Sequence, residues 1–539
     1  VAPYVPRAAA DTVLHGVVQE HLETFLAAAA ARTDGVGLPH FIEREFRGFL
    51  RCGLLVHGFL RIRCDDCAFE RLLPLSCKGR AVCASCGGRR MAEQAANLVE
   101  SVLPWVPVRQ WVLTVPHRLR YRLAFDHALC RAVVGVFLRA VLGWYRRRAR
   151  RAGWADGHSG SVTVIQRFGS GLQLNVHAHA LVLDGAFTEA ADGTLRFHPA
   201  PPPTDVEVAR LVATIRTRVL RLLRRRGVFV EADDDDNRGP LAETSLALAG
   251  ITSAAVQGRS ALGSRAGARV LRLGRVPGAP WVTATGSRQA HVEGFDLHAN
   301  VAVAANNRNG LEQLARYVLR PPIAQDRLTR TADGRVLLTL KTEWSDGTTH
   351  LLFEPIELLE RLAALTPRPR INLVLHHGVL ATHSRWRARA VTYGEDTVAP
   401  PAPEPPVSCA TSHPLAPPAG PESAGGREAS GAQPHGPDVT SAGRRTEPAA
   451  YSPAGGPPPA SAMAAEAPPS LAPRRWSWPE LLRRTFAVDV LACARCGGRM
   501  RVVAIIEDPV VIRKILTHLR LPTEVPAPRP PPSDLFDWS

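Results

Sequence analysis

The sequence predicts an α+β protein in which helices flank a central, mainly antiparallel sheet, with a metal-stapled module before it and a Pro-rich linker after it. Three observations predict this. Strand-like alternation over 161–187 returns at 269–274, 335–341 and 371–375, interleaved with helical periodicity over 204–227 and 310–320. Two C-x-x-C pairs lie within the short stretch 52–90, which Gly and Pro keep breaking. From 398 to 474 the composition collapses to Pro, Ala, Gly and Ser.

The elements follow in order. Residues 11–32 put Leu14, Val17, Val18, Leu22 and Phe25 on one helical face behind a capping Asp11. A second helix over 40–51 completes an N-terminal helical region, 1–51. The Cys-rich segment 52–92 reads as a zinc-binding module, and 93–155 as a basic helical bridge in which Leu129, Val133, Val134, Phe137, Val141 and Tyr145 repeat at helical spacing. Its last turn carries Arg146, Arg147 and Arg148, where cations suit the helix dipole. Residues 156–397 form the α+β domain, with Asp184-Gly185 as a hairpin turn and Asp233 to Asp236 as a solvated loop. A disordered linker over 398–474, a small module with one C-x-x-C over 475–525 and a Pro-rich tail over 526–539 end the chain.

At 539 residues and 45% hydrophobic content, the chain is not wholly disordered. Lys and Arg outnumber Asp and Glu by 66 to 49, and this net charge of +17 predicts a polyanionic partner, nucleic acid ahead of a membrane surface. Residues 101–150 concentrate it, with ten arginines against the single Asp126. Arg109, Arg146, Arg147, Arg148 and Arg320 are the candidates for DNA contact. No run of about 18 apolar residues and no leader pattern is visible, which predicts a cytoplasmic protein without membrane spans. In that compartment the ten cysteines read as metal ligands or free thiols. Val1 leaves open an alternative start codon or a fragment.

The strongest local signal is Cys64-Asp-Asp-Cys67 followed, after fifteen residues, by Cys83-Ala-Ser-Cys86. Two such knuckles can close a tetrahedral thiolate site for structural Zn2+, with no open position for catalysis. Cys52 and Cys77 read either as alternative ligands or as buried thiols. Cys493-Ala-Arg-Cys496 repeats the knuckle without a second pair, so His518 or a second protomer completes it, or it is degenerate.

Chemistry centres on the strand Leu172 to Gly185. Alternation there puts Asn175, His177 and His179 on one face. Two neutral imidazoles can share a divalent ion that polarises a phosphodiester, although a structural His pair fits the same pattern. Of six tyrosines, Tyr4 is terminal, Tyr121 and Tyr145 fall in the basic region, and Tyr393 and Tyr451 border or occupy the linker. Tyr317 remains, on a helix that Pro321 ends, with Gln313 and Arg320 on its face. Beside a phosphate and a guanidinium, its phenol can be a nucleophile; alone, it reads as the cap of a core edge.

Together these residues resemble the IS91-like rolling-circle insertion-sequence transposases, of the His-hydrophobe-His (HUH) class, with an N-terminal zinc-binding domain. The resemblance runs over about 12–390 and 475–523. Its landmarks are Phe41-Ile-Glu-Arg-Glu-Phe46, Ser76-Cys77-Lys78-Gly79-Arg80, Arg109-Gln110-Trp111, Gln166-Arg167-Phe168-Gly169, the Asn175 to His179 strand, Arg316-Tyr317-Val318-Leu319-Arg320-Pro321-Pro322 and Asp346-Gly347-Thr348.

The resemblance implies an HUH-type catalytic domain in which His177 and His179 bind Mg2+ or Mn2+. It also implies that Tyr317 cleaves single-stranded or hairpin DNA at the element's end, leaving a 5′-phosphotyrosine and a free 3′-OH for transfer to target DNA. Gln166, Asn175 and Gln313 are candidates for a third ligand. The chain looks like a single-tyrosine member, and it has His376-His377-Gly378 where many members carry Tyr-His-Gly. A nucleoid-associated homo-oligomer without membrane contact is expected. The alternative is a catalytically inactive, zinc-dependent DNA-binding protein.

Overall fold

The N-terminal helices form where expected, with one shift in the cap. In the computed structural model, which describes residues 2–3, 8–228, 240–276, 286–395, 477–486, 488–524 and 527–531, α1 spans Val13–Ala31 and is capped by Thr12 rather than Asp11. The Thr12 hydroxyl accepts from the His15 amide, the third in the helix, which Asp11 stands one residue too far back to reach in that role. The helix α2, His40–Arg51, packs Phe46 edge-on against Phe25 of α1. The Asp233 to Asp236 run and the 398–474 linker lie outside the described residues.

Beyond α2, β1 (Phe59–Cys64) and β2 (Glu70–Pro74) make an antiparallel hairpin whose tip is the Cys64–Cys67 knuckle. The helix α3, Ala84–Ser101, starts at the other knuckle, where the Cys83 thiol accepts from the Cys86 amide. The expected helical bridge over 93–155 is interrupted next by a strand. Val108–Thr114 is a strand, β3, followed by helices α4 (Arg120–Phe125) and α5 (His127–Arg151). All but one residue of β3 is buried, because both faces of the sheet around it are covered. A strand buried on both sides loses the polar alternation that would reveal it.

Through β3, the expected basic bridge contributes a central strand to the main sheet. The other members are β4 (Gly160–Phe168), β5 (Leu174–Leu183), β8 (Gln289–Val292), β9 (Phe295–His298) and β10 (Val374–Gly378), and their order is β8-β9-β3-β5-β4-β10, with Ala302–Val303 also on β3. All these pairs are antiparallel, as expected of the domain. One face of β5, with Val176, Ala178, Ala180 and Val182, joins the core built on α5 and on α6 (Asp205–Arg225). The opposite face, with Leu181, packs under α3 and α8 (Arg308–Leu319) through Leu311, Leu314, Ala315 and Val318. A second antiparallel sheet of four short strands orders as Leu271–Leu273, His350–Phe353, Val336–Thr339, Leu328–Arg330.

Asp184-Gly185 is not a hairpin turn. The chain leaves the sheet there and enters β6 (Gly185–Glu189), which pairs with β7 (Leu195–Pro199) in a separate ribbon. Buried charge fixes this exit. Arg109 donates to Asp184 from Nε (3.1 Å) and Nη2 (2.8 Å), the Tyr145 hydroxyl donates to the same carboxylate (2.7 Å), and Arg109 Nη1 donates to the Ala299 carbonyl (3.0 Å). Arg109 is therefore a buried structural cation, unavailable to DNA. Removing one partner of such a pair strands the other charge, so Asp184→Ala is expected to cost about 3–5 kcal/mol in a denaturant titration. A loss below about 1 kcal/mol would show that the pair does not hold this corner.

The last module does not stand apart either. The helix α10 (Trp478–Phe486) packs Leu481 against Ala92 and Ala96 of α3. The strand β11 (Met500–Ile506) pairs antiparallel with β1, from Met500 opposite Cys64 to Ile506 opposite Phe59, and so becomes the third strand of the zinc module's sheet. The helix α11 (Pro509–His518) closes the end with Ile512 and Leu516 on Phe59. Helix α5 alone among the described helices is long and apolar enough by composition to cross a bilayer. Since 67% of that window is buried inside the domain, the core accounts for its apolar surface.

Candidate active site

The register of the sheet assembles the site. Pairing sets Val112, His179 and Val164 side by side, and Thr114, His177 and Gln166 beside them, so both histidines face the helices α3 and α8. Their ring centroids are 4.8 Å apart. His177 Nδ1 donates to the Asn175 carbonyl at 3.0 Å, leaving the Nε2 lone pair for a ligand. Gln110 Nε2 lies 2.8 Å from His179 Nδ1 and fixes the ring; only with the Gln110 amide turned about, its oxygen accepting from Nδ1–H, does His179 Nε2 carry a free lone pair.

Both imidazoles are held neutral. Burial pushes His177 down to about 4, with Arg120 and Arg320 adding to the shift. Burial likewise holds His179 well below the usual imidazole range, with His177, Arg320 and His298 contributing. The site passes a further test for a bound cation. Asn175 Oδ1 and Gln166 Oε1, both acceptors, and the ring nitrogen His179 Nε2 are buried without a hydrogen-bond partner among the described residues. Gln166 is anchored through its other end, Nε2 donating to the Val318 carbonyl at 2.8 Å.

Tyr317 meets this pair from above. Its ring lies edge-on to His179, at 86° and 6.0 Å between centroids, and the Arg320 guanidinium sits 4.4 Å over it. The other described tyrosines stand elsewhere. Tyr145 is buried on Asp184, the Tyr393 hydroxyl accepts from the Phe197 amide, and Tyr121 packs against Phe125. Gln313 is exposed on α8, one turn before Tyr317. A cavity of about 160 Å³ adjoins the site and is lined by Arg80 and Arg90 of the zinc module together with Gln166 and Arg320.

The cysteines gather into two clusters, each with its sulfurs within 4.8 Å of one another: Cys52, Cys77, Cys83 and Cys86, and Cys64, Cys67, Cys493 and Cys496. In the first, Cys52–Cys86, Cys52–Cys83 and Cys77–Cys86 each measure 3.6 Å. Thiolates on one tetrahedral zinc at Zn–S of about 2.3 Å stand about 3.8 Å apart, so this donor set fits the ion.

Two family models match the chain in sequence order. Residues 17–115 match a transposase zinc-binding domain of the IS91 type, and 160–387 match a family described as Putative transposase. The first match spans six cysteines from Cys52 to Cys86, the second His177, His179 and Tyr317. The chain belongs to the IS91-like transposases. No curated protein and no solved structure matches it. The transposase is a DNA-processing enzyme, with DNA as its partner and structural zinc in its zinc-binding domain.

Within the transposase, the expected quartet Cys64, Cys67, Cys83 and Cys86 is not one site. The first two cysteines sit at the tip of the β1–β2 hairpin and the last two at the start of α3, beyond its base. A five-residue strand puts about 17 Å between tip and base. Cys52, at the end of α2, and Cys77, just after β2, lie at that base and complete the cluster there. Neither His518 nor a second protomer is needed for the Cys493–Cys496 knuckle, because the hairpin tip supplies its partners.

The arginine candidates divide in the same way. Arg320 lies at Tyr317, whereas Arg148 is bound to Glu207 at 3.0 Å and stacked on Trp144 at 4.8 Å, joining α5 to α6. Arg146 and Arg147 are exposed, on a helix packed against the face opposite the histidines. Sequence reasoning missed Gln110 and His298. His298, whose Nε2 is buried without a hydrogen-bond partner among the described residues, shares the row of Val112 and His179.

Two predictions arise from this geometry. Gln110→Leu is expected to weaken Mn2+ binding about 10–100-fold while the melting temperature changes little. Unchanged affinity would show that Gln110 does not orient His179. The second concerns pH. Because the fold depresses both imidazoles, the unfolded chain takes up protons from pH 6.5 downward that the folded chain refuses until its own lower values. Stability is thus complete above about 6.5 and falls toward pH 4, by up to about 1.4 kcal/mol per unit for each histidine. His177→Gln is expected to flatten the decline in melting temperature between pH 6.5 and 5, and an unaltered slope would contradict the shift.

Proposed function

We propose that the transposase nicks and rejoins single-stranded DNA at insertion-sequence ends during rolling-circle transposition, through a covalent link to Tyr317. The observation that carries this reading is the Tyr317 ring set edge-on to His179 under the Arg320 guanidinium. The phenolic oxygen attacks the phosphorus and its proton passes to solvent. The bond from phosphorus to the 3′ oxygen breaks, and that oxygen takes up a proton to leave as a 3′-OH. A 3′-OH attacking the phosphotyrosine reverses these steps and restores the phenol.

His177 and His179 would hold Mg2+ or Mn2+, with Asn175 or Gln166 as the third ligand, and such an ion polarises the scissile phosphate. Arg320 meets the charge that develops on the phosphate, and Arg80 and Arg90 extend the same basic wall toward the zinc module. With one such tyrosine among the described residues, two cleaved ends held together call for a homo-oligomer, acting in the cytoplasm at the nucleoid.

The test is capture of a single-stranded or hairpin oligonucleotide carrying the element end. An adduct stable in detergent is expected with Mg2+ or Mn2+ and not without them. Binding of equal strength with no adduct in either ion would favour the DNA-binding reading instead.

A further inference from the structure

The cluster Cys64, Cys67, Cys493 and Cys496 joins residues more than four hundred positions apart. Cys64 and Cys496 sulfurs lie 3.5 Å apart, Cys67 and Cys493 sulfurs 3.6 Å, near the roughly 3.8 Å edge of a tetrahedral zinc thiolate. Each pair is a C-x-x-C knuckle at the end of a strand, and the two strands pair in register beneath them, Met500 opposite Cys64. The knuckles are fitted to each other. The Asp65 amide donates to the Arg499 carbonyl at 3.1 Å and Arg501 bonds the Asp65 carboxylate, while the Cys493 amide closes its own knuckle on the Gly498 carbonyl at 2.8 Å. Gly498 passes so close to Asp66 that a Cβ there would run into its carboxylate.

The apolar support under this cluster is small: Ile62, Leu73 and Met500 are buried beside two of the cysteines, with Leu60 and Phe69 half-buried against them. Much of what lies beyond it is open to solvent, including Val502, Val503, Ile505 and Val510. A segment with so little core needs another source of folding free energy, which a structural zinc supplies.

We infer that Cys64, Cys67, Cys493 and Cys496 form a second zinc site, distinct from the Cys52 cluster, and that it latches the C-terminal segment onto the N-terminal zinc module. The latched segment reaches the catalytic domain. Arg484 of α10 donates to Glu312 of α8 at 2.7 Å and also pairs with Glu100 of α3. The helix that bears Tyr317 is thereby tied to both ends of the chain. The latch stands on the cysteines alone, whatever the role of Tyr317.

Two readouts on the full chain test it, neither using DNA. Zinc released on denaturation is expected at two ions per chain, falling to one in Cys493→Ser/Cys496→Ser and equally in Cys64→Ser/Cys67→Ser. In a second arm, a protease site is inserted between residues 396 and 476 and cut. The halves are expected to co-elute in gel filtration while zinc is bound and to separate in either double variant. One zinc per wild-type chain, two zincs retained in the variants, disulfides in place of free thiols, or halves that stay together without the cysteines would each overturn the latch.

Discussion

Tyr317→Phe is expected to abolish covalent capture of the element end, lowering its rate by at least about 10³-fold, while oligonucleotide affinity and melting temperature hold. The contrast follows from where the ring sits. Tyr317 is 44% exposed, and Phe keeps the edge-on contact with His179 and the stack under Arg320. On the proposed mechanism, loss of the oxygen removes only the nucleophile. Gel-shift affinity beside a detergent-stable adduct assay separates the two effects. Undiminished capture in Tyr317→Phe would place the nucleophile elsewhere.

Replacing both His177 and His179 with Gln is expected to lower capture about 10²–10³-fold, since the charge stabilisation that the cation supplies amounts to several kcal/mol. Affinity for the oligonucleotide should hold within about twofold, because the proposed reading gives phosphate contacts to arginines that line the cavity, such as Arg80, Arg90 and Arg320, and not to neutral imidazoles. Gln retains polarity and much of the bulk, so neighbouring side chains keep a partner. Mn2+ titration should show binding in the wild type and none in the variant. Full capture with Mn2+ affinity intact would remove the His pair from the mechanism.

The sequence made some of this legible and concealed the rest for physical reasons. The His strand and α8 were readable because each carries one strong period, two residues for Leu174–Leu183 and an apolar helical stripe at Leu311, Leu314 and Val318. Strands β3 and β5 are both buried on both faces, but β5 alternates Asn175, His177 and His179 with apolar residues, whereas β3 sets Arg109 beside Gln110 and then runs apolar, which hid it. Gln110 was hidden with it, since it meets His179 only across 69 residues.

The cysteines show the limit most clearly. Spacing identifies each knuckle but says nothing about which two share an ion. The hairpin β1–β2 separates the knuckles that are neighbours in sequence and carries one of them to a partner beyond the linker. The charge map misled in part for a similar reason. Arg109 counts toward the basic stretch, but its guanidinium is sealed against Asp184. Arg320, the arginine at the site, lies well outside that stretch.

The central claim is that Tyr317 takes the DNA. The measurement that tests it most directly is mass spectrometry of the trapped complex after nuclease and protease digestion. The expected result is a nucleotide joined through its 5′-phosphate to the peptide that carries Tyr317, with a free 3′-OH on the released strand. An adduct on any other side chain, or a 3′-phosphate link, would contradict it.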